Sequence, residues 1–230
     1  MHRIALAVVL SASLASAAHA AIPEGDVFLE VDGGSLITGL ISEDGLEIVR
    51  GPRVFFAEFG TVAPNIADEP GFQSLPTGLG GATTFRFDIQ KALRTWNGAD
   101  FSTVATESLT ADLGPLSVTS PASDATVPGF SIPVSPTGTH QHPDWTLNAP
   151  ASDGVYLLEV RFITSVGQQS LPVWMLWGQN AGEPTAQAAY DYAVATIPAP
   201  ASLALQGVAC VACTRRRRAH AATVTPRACA

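Results

Sequence analysis

Residues 155–164 read Val-Tyr-Leu-Leu-Glu-Val-Arg-Phe-Ile-Thr, and the fold class turns on how this run alternates. Successive side chains of an extended chain point to opposite faces. Tyr156, Leu158, Val160 and Phe162 therefore share one face, while Glu159 and Arg161 share the other. An apolar face backed by a charged one is the pattern of a half-buried antiparallel strand.

Working outward, shorter runs of the same kind occur at 27–31, 35–41, 46–49, 53–59, 83–88, 101–109, 129–134, 144–147 and 172–177. Between them lie Asp32-Gly33-Gly34, Asp44-Gly45, the glycine cluster 78–81 and Ser152-Asp153-Gly154, residues that supply the positive φ of tight turns. About ten strands at this spacing predict an all-β domain, a two-sheet antiparallel β-sandwich of Ig-like or jelly-roll type. Two short helices are expected within it. One covers 88–96, capped by Asp88, with Ile89, Leu93 and Trp96 on one side and a stop at Gly98. The other covers 184–194, begins with Pro184, and turns Ala188 and Tyr192 toward the core.

The ends of the chain read differently. His2 and Arg3 precede an apolar run over 4–15, and Ala18-His19-Ala20 satisfies the small-x-small rule for signal peptidase, so 1–20 is expected to be a cleaved signal peptide. Its apolar core, about 12 residues, is short of the ~20 needed to span a bilayer. After a domain at 21–196, residues 197–218 combine Pro198 and Pro200, a mostly apolar stretch, and Arg215, Arg216, Arg217 and Arg218. Arginines beside an apolar segment hold that end on the cytoplasmic side. An irregular extension, 219–230, follows.

This tail resembles the PEP-CTERM sorting signal, with Ala199 where the usual Glu stands and Gln206 interrupting the apolar stretch. The resemblance implies an exosortase-like sorting enzyme and signal peptidase as partners. It also implies transient anchoring in the inner membrane by the C-terminal segment as a transmembrane helix, then delivery to the cell surface or extracellular matrix, where exopolysaccharide is a further partner.

Without the two ends the domain holds 20 acidic and 6 basic side chains, a net of −14. Such a surface repels nucleic acid, which is not expected as a partner. Cys210, Cys213 and Cys229 all lie in the tail, so the domain has neither a disulfide nor a thiol nucleophile.

Chemistry-bearing residues are few. His140 and His142 stand in Thr139-His140-Gln141-His142-Pro143-Asp144-Trp145. On an extended strand the two imidazoles share a face about 7 Å apart, close enough to converge on one divalent ion. Asp144 is the nearest carboxylate, and Asp153 and Glu159 follow. The metal reading is therefore His140, His142 and Asp144, and the ligand reading is His140, His142 and Trp145. Set against both is a surface pair that only ties down a loop while Trp145 packs in the core. No Gly-x-Ser-x-Gly elbow occurs and no spacing selects a carboxylate pair, so no catalytic residues are assigned.

The segment 138–160, GTHQHPDWTLNAPASDGVYLLEV, resembles the His-x-His-x-x-Trp core of bacterial choice-of-anchor and surface-anchored domains. Together with DEPGF (68–72), ALRTWNG (92–98), PGFSIPVSPTG (128–138) and PVWMLWGQN (172–180), it is similar to a set of PEP-CTERM proteins with no assigned activity. The resemblance implies importance for His140, His142 and Trp145. The expectation is an exported, surface- or matrix-associated binding module. A structural or adhesive component is the alternative, with a metal-dependent hydrolase third.

Overall fold

The computed structural model describes residues 21–42 and 44–197. The expected signal peptide, the sorting residues Pro198, Pro200 and Arg215 to Arg218, and the 219–230 extension lie outside the described residues.

The chain runs through β1 (Asp26–Asp32), β2 (Ser35–Ile41), β3 (Ile48–Arg50), β4 (Val54–Glu58), β5 (Ile66–Ala67), β6 (Phe72–Ser74), β7 (Thr84–Ile89) and β8 (Arg94–Thr95). It continues through β9 (Thr103–Val104), β10 (Leu109–Leu113), β11 (Leu116–Thr119), β12 (Val127–Pro133), β13 (Thr139–Gln141), β14 (Asp144–Leu147), β15 (Gly154–Thr164), β16 (Val173–Gln179) and the helix α1 (Glu183–Thr196). The fold is all-β, as 155–164 foretold.

The strands divide into three sheets where two were expected, in the orders β13-β6-β1-β2-β3, β11-β10-β14-β5 and β12-β7-β15-β16-β4, with β8 and β9 attached to the last through β15. Most pairings are antiparallel, but β1 with β6 and β16 with β4 are parallel. The first hairpin is set by Gly33 and Gly34, whose φ of 56° and 83° let Asp32 face Ser35 across a two-residue turn.

All three sheets bury their apolar faces in one core. Phe72 of β6 sits at the junction, with its ring 5.2 Å from Phe162 and 5.6 Å from Phe87 of the seven-stranded sheet and 6.1 Å from Trp145 of the four-stranded sheet. On β15 the alternation holds: Tyr156, Leu158, Val160 and Phe162 enter this core. Val155 and Leu157 face the other way, into a smaller cluster under α1. Ala186, Ala189 and Ala193 form the buried stripe of α1, whose small side chains allow close approach to the sheet. Ala188, expected to point inward, is exposed.

The helix expected at 88–96 is absent. Asp88 and Ile89 end β7, and Arg94-Thr95 is β8. The helical-looking spacing of Ile89, Leu93 and Trp96 has another cause: Ile89 and Leu93 enter the main core while Trp96 packs on the outer cluster. Backbone groups there bond to strands instead of to one another, Gln90 N–H to Glu159 O and Trp96 N–H to Val155 O, both at 2.8 Å. Asp88 accepts from Arg86 at 2.8 Å in place of capping a helix. The single strand expected at 101–109 resolves into β9 and the start of β10. Among the described residues no helix is long and apolar enough to cross a membrane.

Candidate metal centre

Strand register assembles the site at one end of the five-stranded sheet. Parallel pairing of β1 with β6 sets Val27 beside Phe72, and antiparallel pairing of β13 with β6 sets Gln141 opposite Phe72 and His140 opposite Gln73. The residues flanking that row, Asp26, Gly71 and His142, are thereby brought together from three distant segments.

The geometry is convergent. His140 Nε2 lies 2.7 Å from His142 Nε2 and 2.8 Å from Asp26 Oδ2, and His142 Nε2 lies 3.6 Å from the same carboxylate oxygen. These three separations define a circle of radius about 1.8 Å, so an ion ~1 Å off their plane stands ~2.0–2.1 Å from all three, the bond length of Zn²⁺ to imidazole N and carboxylate O. Among the described residues no other group of three or more histidine, cysteine and carboxylate side chains converges so closely. His140 is 48% exposed at its side chain and Asp26 only 3%, so the group is anchored below and open above.

The surroundings fix each ligand atom. His142 Nδ1 lies 3.1 Å from the Asp68 carbonyl oxygen, which can only accept, so Nδ1 is the donor there and Nε2 is the atom turned toward His140 and Asp26. Glu69 Oε1, 3.4 Å from the same Nδ1, reinforces this tautomer. Gly71 N–H donates to Asp26 Oδ1 at 2.8 Å and to Glu69 Oε2 at 3.0 Å, leaving Asp26 Oδ2 for the histidines. A Cβ at position 71 would stand 2.6 Å from Asp26 Oδ1 and 2.7 Å from His142 Cε1, which is why glycine occupies the position. Burial, then the hydrogen bond and charge of neighbouring Asp26, push the Glu69 carboxyl up to about 8. The same surroundings favour the protonated form of Glu69.

Of the residues singled out in the sequence, the structure brings His140 and His142 together. Asp144 does not join them. It is exposed on β14, opposite Asp112 in another sheet, and Asp26 stands where it was expected. Trp145 offers no surface to a ligand, being wholly buried against Phe72, Phe87 and Trp177. Its Nε1–H donates to Pro70 O at 3.3 Å, so it supports the 68–71 loop from beneath. Asp153 accepts from Asn180, and Glu159 is held by Lys91 and Trp174, both away from the histidines.

Sequence reading missed Asp26, Glu69 and Gly71. The last two lie in DEPGF, a segment conspicuous only by resemblance, and Asp26 carries no local signal. A scan against protein-family models and searches of the curated proteins and the solved structures return no match to this chain.

Proposed function

We propose that this chain is an exported binding module, sorted by an exosortase-type system to the cell surface or extracellular matrix, whose Asp26, His140 and His142 hold a divalent transition-metal ion. The observation that carries the metal reading is the meeting of two imidazole Nε2 atoms and one carboxylate oxygen within 3.6 Å of one another. Two nitrogens and one oxygen suit Zn²⁺ and its borderline neighbours, whereas Ca²⁺ and Mg²⁺ take oxygen ligands. Three protein ligands leave a coordination position facing solvent, open to a water or to a donor atom from a bound molecule.

Calorimetric titration of Zn²⁺ into untagged, chelator-stripped protein tests this. One ion per chain is expected, with binding lost in Asp26→Asn and in the His140→Ala/His142→Ala double variant. Binding of no ion removes the metal reading. Export is tested separately by mass spectrometry of the surface form. A mature start near Ala21 and loss of Arg215 to Arg218 are expected, and retention of those arginines counts against sorting by cleavage.

A second reading, a structural or adhesive component, is favoured by the same contacts seen differently. The 2.7 Å nitrogen–nitrogen and 2.8 Å nitrogen–carboxylate distances also describe hydrogen bonds that tie β13 to β1 without an ion. In that case the double variant lowers the melting temperature equally with and without Zn²⁺.

A further inference from the structure

The outer face of the seven-stranded sheet carries a second concave region, which shares no residue with the Asp26 group. Beside α1, a cavity of about 280 Å³ is floored by Leu157 and Phe101 and walled by Trp174 and Tyr192. Lys91, Ala92, Arg94, Asp100, Ser102 and Glu159 complete its lining. Its volume lies just below the ~300–1,000 Å³ of pockets for drug-sized ligands, a size that suits one ring of a sugar.

Trp174 differs from the other tryptophans. Trp145 and Trp177 pack on each other in the core with their rings tilted at 45°, and Trp96 packs on Phe101 and Tyr192. Among the described residues, Trp174 makes no ring–ring contact of that kind, is half-buried and lines the cavity. Its Nε1–H donates to Glu159 Oε2 at 3.0 Å, which holds the indole in one orientation. An oriented indole at the wall of a cleft presents a π-surface to the C–H face of a pyranose.

The polar lining points to a neutral partner. Lys91 is paired with Glu159 at 3.1 Å and Arg94 with Asp124 at 2.6 Å, so neither cation is left over for an anionic ligand. The acidic excess of the domain, 20 carboxylates against 6 basic side chains, further disfavours one. Interleaved donors and acceptors, Lys91 and Arg94 beside Glu159 and Asp100, match hydroxyl groups, each of which both donates and accepts.

We infer that this cavity binds a neutral hexopyranose unit of an oligo- or polysaccharide, stacked on Trp174 with its hydroxyls held by Lys91, Glu159 and Asp100. The site works without the metal centre and fails independently of it.

Cellotetraose, maltotetraose and mannotetraose are titrated against the exported chain by tryptophan fluorescence and calorimetry, with trigalacturonate as the acidic arm. At least one neutral tetrasaccharide is expected to bind with a dissociation constant at or below the millimolar range. Binding weakens about tenfold or more in Trp174→Ala, the order of one stacking contact, and is largely kept in Trp174→Phe. Should Trp174→Ala fail to fold, the exposed Lys91→Ala serves in its place, with an expected loss of about threefold. Asp26→Asn leaves sugar binding unchanged. Absence of binding to all three neutral sugars at about 10 mM overturns the proposal. Undiminished binding in folded Trp174→Ala or in Lys91→Ala also overturns it, as does tighter binding of trigalacturonate.

Discussion

The corner holding Asp26, His140 and His142 and the cavity beside α1 both carry charged side chains, yet they handle charge in opposite ways. At the corner, lone pairs from distant segments point at one another, and a single protonated nitrogen or a cation must reconcile them. At the cavity each cation already has its carboxylate. Convergent acceptors suit an ion, and interleaved, prepaired groups suit a neutral polyol. The two regions are separated by the aromatic core, so changes to one should leave the other intact unless they strike that core.

The largest effect is therefore expected at the core that supports both. Phe72→Ala removes a ring packed against four aromatic neighbours, and a loss of ~3–5 kcal/mol in denaturant unfolding should follow, with both binding activities falling together. Next comes Gly71→Ala, whose Cβ meets Asp26 and His142. It should cost ~1–3 kcal/mol and abolish Zn²⁺ binding while leaving the cavity unchanged, a contrast read by paired titrations. Separate loss of the two activities in Gly71→Ala sharpens the comparison, and joint loss breaks it.

How much of this was legible follows from where each signal lay. The alternation of 155–164 reached directly to the observed faces of β15, because period-two burial is local. The Asp32-Gly33-Gly34 turn was equally local. The 88–96 segment misled because its apolar residues serve two cores on opposite sides of a sheet, a spacing that mimics one helical face. His140 and His142 were visible as a pair, but their carboxylate partner was not. Asp26 arrives through a parallel pairing of β1 with β6, and no short-range pattern announces a crossover. Asp144 was favoured by proximity in sequence, and the switch of β14 to another sheet carries it away.

A smaller effect concerns Glu69. Its folded-state pKa of about 8 exceeds its ordinary 4.5, so the folded protein keeps a proton that the unfolded chain releases between those values. In metal-free protein this stabilisation is complete below pH 4.5 and lost as pH rises through about 8. Glu69→Gln should flatten that decline in melting temperature between pH 4.5 and 8, and an unaltered slope would place the proton elsewhere. The smallest effect is expected at Asp144→Asn. Being exposed and outside the group, it should change Zn²⁺ affinity by less than about twofold in the same titration.

The central claim is most directly tested by anomalous diffraction at the zinc edge from crystals of the untagged protein grown with stoichiometric Zn²⁺. One peak is predicted, ~2.0–2.1 Å from His140 Nε2, His142 Nε2 and Asp26 Oδ2. The account is contradicted if that position carries no peak while the ion sits elsewhere or nowhere.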